Sequence, residues 1–157
     1  MSFIAKQYHL SASQLLVALP EKVFPLLCPT LEYEWIETWK CEILFSKSGF
    51  AEQDCVFTTF FPGDEKETWI IDRYEPNSLI QFVRFSESKI IRYSISLIDN
   101  GDGTTTAKWE QTITALTEAG IRYVENLSNV EFGKKIKGLE NMLNHYLEIG
   151  EMLKTVK

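Results

Sequence analysis

KIIRYSISLIDNGDGTTTAKWEQTITA, residues 89–115, is two alternating runs joined by a glycine-rich turn. In the first run Ile91, Tyr93 and Ile95 fall on one face of a strand; in the second Ala107, Trp109 and Ile113 do the same. Closing the Asp99–Gly103 turn with Ile98 opposite Thr104 sets Tyr93 across from Trp109, Ile95 from Ala107 and Ile91 from Gln111. The other face then sets Arg92 against Glu110 and Ser94 against Lys108. One face is apolar and the other charged, as a sheet wet on one side requires.

The pattern extends outward in both directions. Strand-like runs are expected at 8–17, 41–48, 53–61, 67–75, 78–86, 89–99 and 104–115. Ser48-Gly49, Pro62-Gly63-Asp64, Pro76-Asn77 and Glu87-Ser88 separate most of them. The last six runs are joined by short gaps, so neighbours pair as antiparallel hairpins. The Glu87-Ser88 turn brings Arg84 to Ile91, Phe82 to Tyr93 and Ile80 to Ile95. Trp69, Ile71, Gln111 and Ile113 share this inner face, and Phe57 and Thr59 join it from the preceding strand.

After the first strand, Pro20 suits the first turn of a short helix over Glu21–Leu27, which ends before Pro29. Thr30–Lys40, TLEYEWIETWK, forms a second short helix or an ordered loop. From Thr117, a plausible N-cap, the period changes to about 3.6. Ile121, Val124, Ser128, Phe132, Ile136, Leu139, Leu143, Tyr146, Leu147 and Leu153 follow one stripe. Arg122, Glu125, Lys134, Lys137, Asn141, Asn144, Glu148 and Glu151 take the other side. The expectation is one amphipathic helix of about 35 residues, some 50 Å long, with Gly133 and Gly138 as points of bend or close approach. The fold class is therefore α+β: a seven-stranded curved antiparallel sheet around a long C-terminal helix, as one domain over 1–157.

A net charge of −6 argues against a nucleic-acid partner and offers no basic patch to anionic lipid. Cys28, Cys41 and Cys55 are an odd set without a CxxC and read as small buried hydrophobes. MSFIAKQYHL lacks the apolar run of a signal peptide, and no run of 18 apolar residues spans a membrane. The expected compartment is the cytoplasm.

Catalysis needs convergent groups, and the sequence shows no such constellation. His9 and His145 stand alone, without nucleophile or metal-ligand spacing. No metal site, no cofactor and no catalytic residue is expected. Among the carboxylates Glu32, Glu34, Glu37, Glu42, Asp72 and Glu110, Glu34 beside Trp35 is the one placed to gate a pocket or act as a base; a solvated face is its plainer reading. Arg84, Tyr93 and Gln111 interrupt the apolar face. A buried charge must be paired, so Arg84 reads either as a cationic anchor for an acidic or hydroxylated ligand or as an arginine at the sheet rim that reaches solvent or a structural carboxylate. Tyr93 and Gln111 read as a core hydrogen bond.

The order strand, two short helices, six strands and long helix resembles the START-like helix-grip superfamily (SRPBCC), which includes the birch-pollen-allergen type and polyketide cyclases/dehydrases. PEKVFPLL, ETWIIDRYEP and LIQFVRF carry the resemblance, which covers nearly the whole chain by pattern rather than by one diagnostic motif. It implies a hydrophobic cavity between sheet and C-terminal helix. By position Trp35, Phe57, Trp69, Phe82, Arg84, Tyr93, Trp109, Gln111, Phe132 and Ile136 would bind its ligand.

The leading reading is binding or transport of a hydrophobic small molecule, such as a lipid, isoprenoid or aromatic. An alternative is a polyketide-type aromatase/cyclase or dehydratase that uses Arg84. A third is an interaction module resembling chaperone-ATPase activators, docking through Ile70 and Val83 on the outer face. The chain is expected to act as a monomer or homodimer.

Overall fold

A computed structural model describes residues 4–154. Seven strands form one antiparallel sheet: β1 (Gln7–Leu16), β2 (Glu42–Phe45), β3 (Val56–Thr59), β4 (Glu67–Glu75), β5 (Leu79–Phe85), β6 (Lys89–Asp99) and β7 (Thr105–Ala115). Their order is β1-β7-β6-β5-β4-β3-β2. All seven expected runs are present, β2 and β3 being shorter than their 41–48 and 53–61 windows. The chain leaves β2 into a turn tied by Glu52, whose carboxylate accepts from the Ser48 amide at 2.8 Å and the Lys47 amide at 3.0 Å. Those bonds compete with strand pairing there.

The β5–β6 register is the expected one: Arg84 faces Ile91, Phe82 faces Tyr93 and Ile80 faces Ile95. The β6–β7 register differs by two residues. Asp99 pairs with Thr105, Tyr93 with Gln111, Ile95 with Trp109 and Ile91 with Ile113. Outside, Arg92 meets Thr112 and Ser94 meets Glu110. The turn closes later because the Asn100 amide donates to the Thr104 carbonyl at 3.1 Å, while Gly101 and Gly103 both take positive φ. An even shift leaves every side chain on its expected face. Ile91, Tyr93, Ile95, Trp109, Gln111 and Ile113 are all buried. Ile70 and Val83 do lie opposite each other on the outer face, with Val56 next to Ile70.

Pro20–Val23 is a single α turn, α1, continued as a 3-10 turn over Phe24–Leu27; Glu32–Glu34 is a second 3-10 turn. Trp35 packs this segment into the core, wholly buried, with its indole N–H donating to the Leu26 carbonyl at 2.6 Å.

The C-terminal region is two helices rather than one of 35 residues. The first, α2, spans Glu118–Glu125 and the second, α3, spans Asn129–Ile149. Thr117 caps α2 as expected, accepting from the Gly120 amide. The break comes at Asn126–Ser128, not at Gly133 or Gly138. Ser128 sits in the expected apolar stripe, yet its hydroxyl accepts from the Glu131 amide at 3.1 Å and starts a new helix. Ser-Asn-Val-Glu has the Ser-x-x-Glu spacing of a capping box, so the signal was present in the sequence. Gly150, at φ 80°, ends α3 short of Leu153.

Gly120 is required for its size. A Cβ there would come 2.1 Å from the Ser88 carbonyl oxygen, which also accepts from the Leu116 amide at 2.7 Å. Gly120→Ala should cost about 2 kcal/mol by forcing α2 off the β5–β6 turn. Chemical denaturation read by circular dichroism checks this; an unchanged midpoint would refute it.

β1 is a sheet edge, and α3 covers it. The Ser11 amide donates to Asn129, the Leu15 amide to Glu140 at 2.8 Å, and the Val17 amide to Asn144 at 3.0 Å. Asn144 in turn donates to the Leu15 carbonyl. Asn144, expected on the solvent side of the helix, therefore faces the sheet edge. Where the helix takes up these amides, another strand cannot pair with the edge. Buried Gln14 adds a cross-brace: its side-chain nitrogen donates to the Ile136 carbonyl at 3.0 Å, and its oxygen accepts from the Trp109 indole at 2.8 Å. No helix among the described residues is long and apolar enough to cross a membrane.

Candidate functional site

Between α3, the inner face of the sheet and the 32–39 segment the side chains leave a cavity of about 520 Å3. The sheet supplies Phe57, Trp69, Phe82, Arg84, Tyr93, Ile95 and Trp109. Helix α3 supplies Lys135, Leu139 and Met142. Glu32, Ile36, Thr38 and Trp39 close a third side, and Phe61, Pro62 and Asp64 come from the β3–β4 loop.

The aromatic wall follows from cross-strand pairing. Phe57, Trp69 and Arg84 are successive neighbours on β3, β4 and β5. The Phe57 ring stacks on Trp69 at 5.2 Å and 21°, while the Arg84 guanidinium lies 4.6 Å from the Trp69 centroid and 5.4 Å from that of Tyr93. Phe82 meets Trp69 edge-on at 5.5 Å. The Trp69 indole N–H donates to the Thr59 hydroxyl at 2.9 Å, which fixes the ring. Such contacts make a rigid, preformed apolar surface.

Arg84 both lines the cavity and meets a carboxylate. Its Nε lies 3.6 Å from Glu67 Oε2, too long for a hydrogen bond, and each of these two buried atoms lacks a hydrogen-bond partner. Lys135 on α3 and Asp64 on the loop complete the charged end of the cavity. Lys135 and Asp64 are both exposed, so this is the solvent side of the cavity; crowding by neighbouring atoms and the Arg84 charge lower the Lys135 ammonium, and Asp64 and Glu67 oppose both. The face expected to carry one charge thus borders two cations and two carboxylates.

Glu32 is the group the sequence did not single out. The 3-10 turn at Glu32–Glu34 points the two carboxylates apart: Glu34 is exposed, and Glu32 lines the cavity. Burial pushes the Glu32 carboxyl up to about 8, so at neutral pH it is mainly the neutral acid. The i, i+2 spacing of TLEYEWIETWK does not tell which of the two faces inward; a long helix would have set it, but a single 3-10 turn depends on tertiary packing. Burial also raises the Tyr93 phenol, against the nearby Arg84 charge, leaving a neutral hydroxyl.

Of the ten residues expected to bind ligand, Phe57, Trp69, Phe82, Arg84, Tyr93 and Trp109 line the cavity. Trp35, Gln111, Phe132 and Ile136 are buried in the core around it rather than on its wall. Glu32, Trp39, Phe61, Lys135, Leu139 and Met142 join the lining without having been expected there. His9 is exposed beside Thr112, and neither it nor His145 reaches the cavity. Among the described residues no three His, Cys, Asp or Glu side chains are grouped to hold a metal.

Cys28 and Cys55 are buried and Cys41 is half-buried; all three are free thiols. Burial pushes the Cys28 thiol up to about 12 and raises the other two as well. A thiol so held is a poor nucleophile. Ellman's reagent should therefore titrate at most Cys41 in the native protein and all three thiols in urea; rapid labelling of Cys28 would contradict this.

No protein-family model matches the sequence, and no curated protein matches it. Solved structures do match in shape. Norcoclaurine synthase from Thalictrum flavum, in complex with dopamine and hydroxybenzaldehyde, superposes with a TM-score of 0.64 at 12% identity, over 92% of this chain and 88% of that one. Ara h 8.0201 gives 0.64 at 16% identity, over 91% and 99%. DynU16, a protein of the dynemicin biosynthetic locus, gives 0.63 at 14% identity over 91% of this chain, which spans only 48% of DynU16. With its seven antiparallel strands, short helices after the first strand and long C-terminal helix, the present chain has the same helix-grip fold as these structures.

Proposed function

We propose that this protein binds a hydrophobic, aromatic-rich small molecule inside the cavity between α3 and the sheet. The observation that carries the reading is the cavity itself: about 520 Å3, walled by three tryptophans and four other aromatic rings. Its size falls within the about 300–1,000 Å3 usual for small-molecule sites. The structurally similar norcoclaurine synthase, held with dopamine and hydroxybenzaldehyde, supports the same class of ligand.

Trp39, Trp69 and Trp109 line the cavity, and Trp35 does not. A neutral aromatic probe, N-phenyl-1-naphthylamine, should therefore quench most of the indole emission by energy transfer and saturate at one site. Leu139→Trp fills the space from the helix side and should abolish this uptake while leaving the unfolding transition in place. An unresponsive wild-type protein, or equal uptake by the variant, would overturn the reading. Native mass spectrometry of the fresh protein would identify any ligand carried through purification.

A second reading is acid–base catalysis of the cyclase or dehydratase kind. It is favoured by one observation: Glu32 holds its proton to about pH 8 in the same cavity as Arg84. A carboxylic acid so placed could donate a proton to a carbonyl or hydroxyl of the ligand. Turnover lost in Glu32→Gln with probe binding retained would separate this reading from simple carriage.

A further inference from the structure

We infer that the cavity takes an aromatic carboxylate, its anionic head held by Arg84 and Lys135 and its ring system against Trp69 and the neighbouring rings. The inference rests on the small-molecule reading above and narrows it to a ligand class.

Arg84 is fixed in place without its donors being used. The guanidinium carbon lies 4.6 Å from the Trp69 ring centroid and 5.4 Å from that of Tyr93. Glu67 approaches only the Nε side, at 3.6 Å, and that nitrogen makes no hydrogen bond. The terminal nitrogens make no hydrogen bond to any described residue either, and unlike Nε they are not sealed from the space around them. Arg84 is a lining residue of the cavity. A planar fork with its terminal N–H groups free is the geometry that a carboxylate satisfies with two parallel bonds.

Lys135, exposed on α3 at the rim of the cavity, adds a second cation. It forms no ion pair with any described carboxylate, though Asp64 and Glu67 lie near enough to influence it. Two cations and two carboxylates leave this end of the cavity near neutrality, and neither cation has a hydrogen-bonded anion. The remaining wall is aromatic and gives a flat π-surface next to the cationic head site. Glu32, lining the same cavity and mainly protonated at neutral pH, does not repel an anion there.

The test compares two isosteric probes, 2-naphthoate and 2-naphthamide, by calorimetry and tryptophan quenching at pH 7. A charge-assisted contact predicts about 10- to 100-fold tighter binding of the acid. Arg84→Gln should reduce that preference to about threefold or less. Removing Arg84 strands the Glu67 carboxylate, so Glu67→Gln/Arg84→Gln, which deletes both charges, provides a folded comparison and should give the same loss. Lys135→Gln should lower the preference in part. Equal binding of acid and amide by the wild-type protein would overturn the carboxylate assignment while leaving the aromatic cavity reading intact. A preference that survives in both Arg84 variants would overturn it too. If neither probe binds, the small-molecule reading falls and this inference with it.

Discussion

Glu32→Gln should make the protein markedly more stable above pH 8 and change it little at pH 4.5. In the native state burial holds the carboxyl up to about 8, whereas in the unfolded chain it returns to about 4.5. Below the lower value both states are protonated and the residue is neutral in the balance. Between the two values the unfolded chain gives up its proton and the native state keeps it, so stability falls as pH rises. Above the upper value both states are ionised and the whole penalty is felt. Its size is on the order of 3 kcal/mol, allowing for water that reaches the cavity. Urea midpoints of wild type and variant at pH 5, 7 and 9 should therefore diverge progressively. Parallel curves would show that Glu32 titrates as an ordinary carboxylate, and would remove the acid–base reading of the site.

The second large effect is expected at Gln14 on β1. Gln14→Leu keeps approximate volume but deletes both hydrogen bonds of the carboxamide. The Trp109 indole N–H is then buried without an acceptor, and α3 loses its brace to β1. Leaving buried polar groups unmade costs about 1–3 kcal/mol each, so a loss of about 3 kcal/mol is expected. Because Trp109 also lines the cavity, probe uptake should weaken along with stability. A loss in Gln14→Leu no greater than about 0.5 kcal/mol, read from the denaturation midpoints of wild type and variant, would refute the brace.

Much of the fold was legible because its signals are local and periodic. Alternation over 78–86, 89–99 and 104–115 assigns each residue to a face, and that assignment survives even a two-residue slip in the β6–β7 register, whereas a bulge between Ile71 and Arg73 breaks the alternation in β4. The slip itself was not legible: the five residues Asn100–Thr104 can close in more than one way, and the Asn100–Thr104 bond chooses between them. The break in the C-terminal helix was legible and passed over. Apolar periodicity runs through Ser128, whereas the capping spacing of Ser128 and Glu131 overrides it.

The site divides along the same line. The strand period alone places Phe57, Trp69, Phe82, Arg84, Tyr93 and Trp109 on the inner face, while the cavity in front of that face was implied only by the family resemblance. The sequence by itself therefore determined the strand order of hairpins, the apolar face and the cation on it. Only the tertiary structure decided what lies opposite that face. Glu32 rather than Glu34 turns inward, Lys135 reaches in from α3, and Trp35, Gln111, Phe132 and Ile136 fill the core instead of lining the space. The physical reason is range. Pleat and helix period act between near neighbours in the chain, whereas a cavity is the volume left over when distant segments have packed, and no local pattern encodes what fails to be filled.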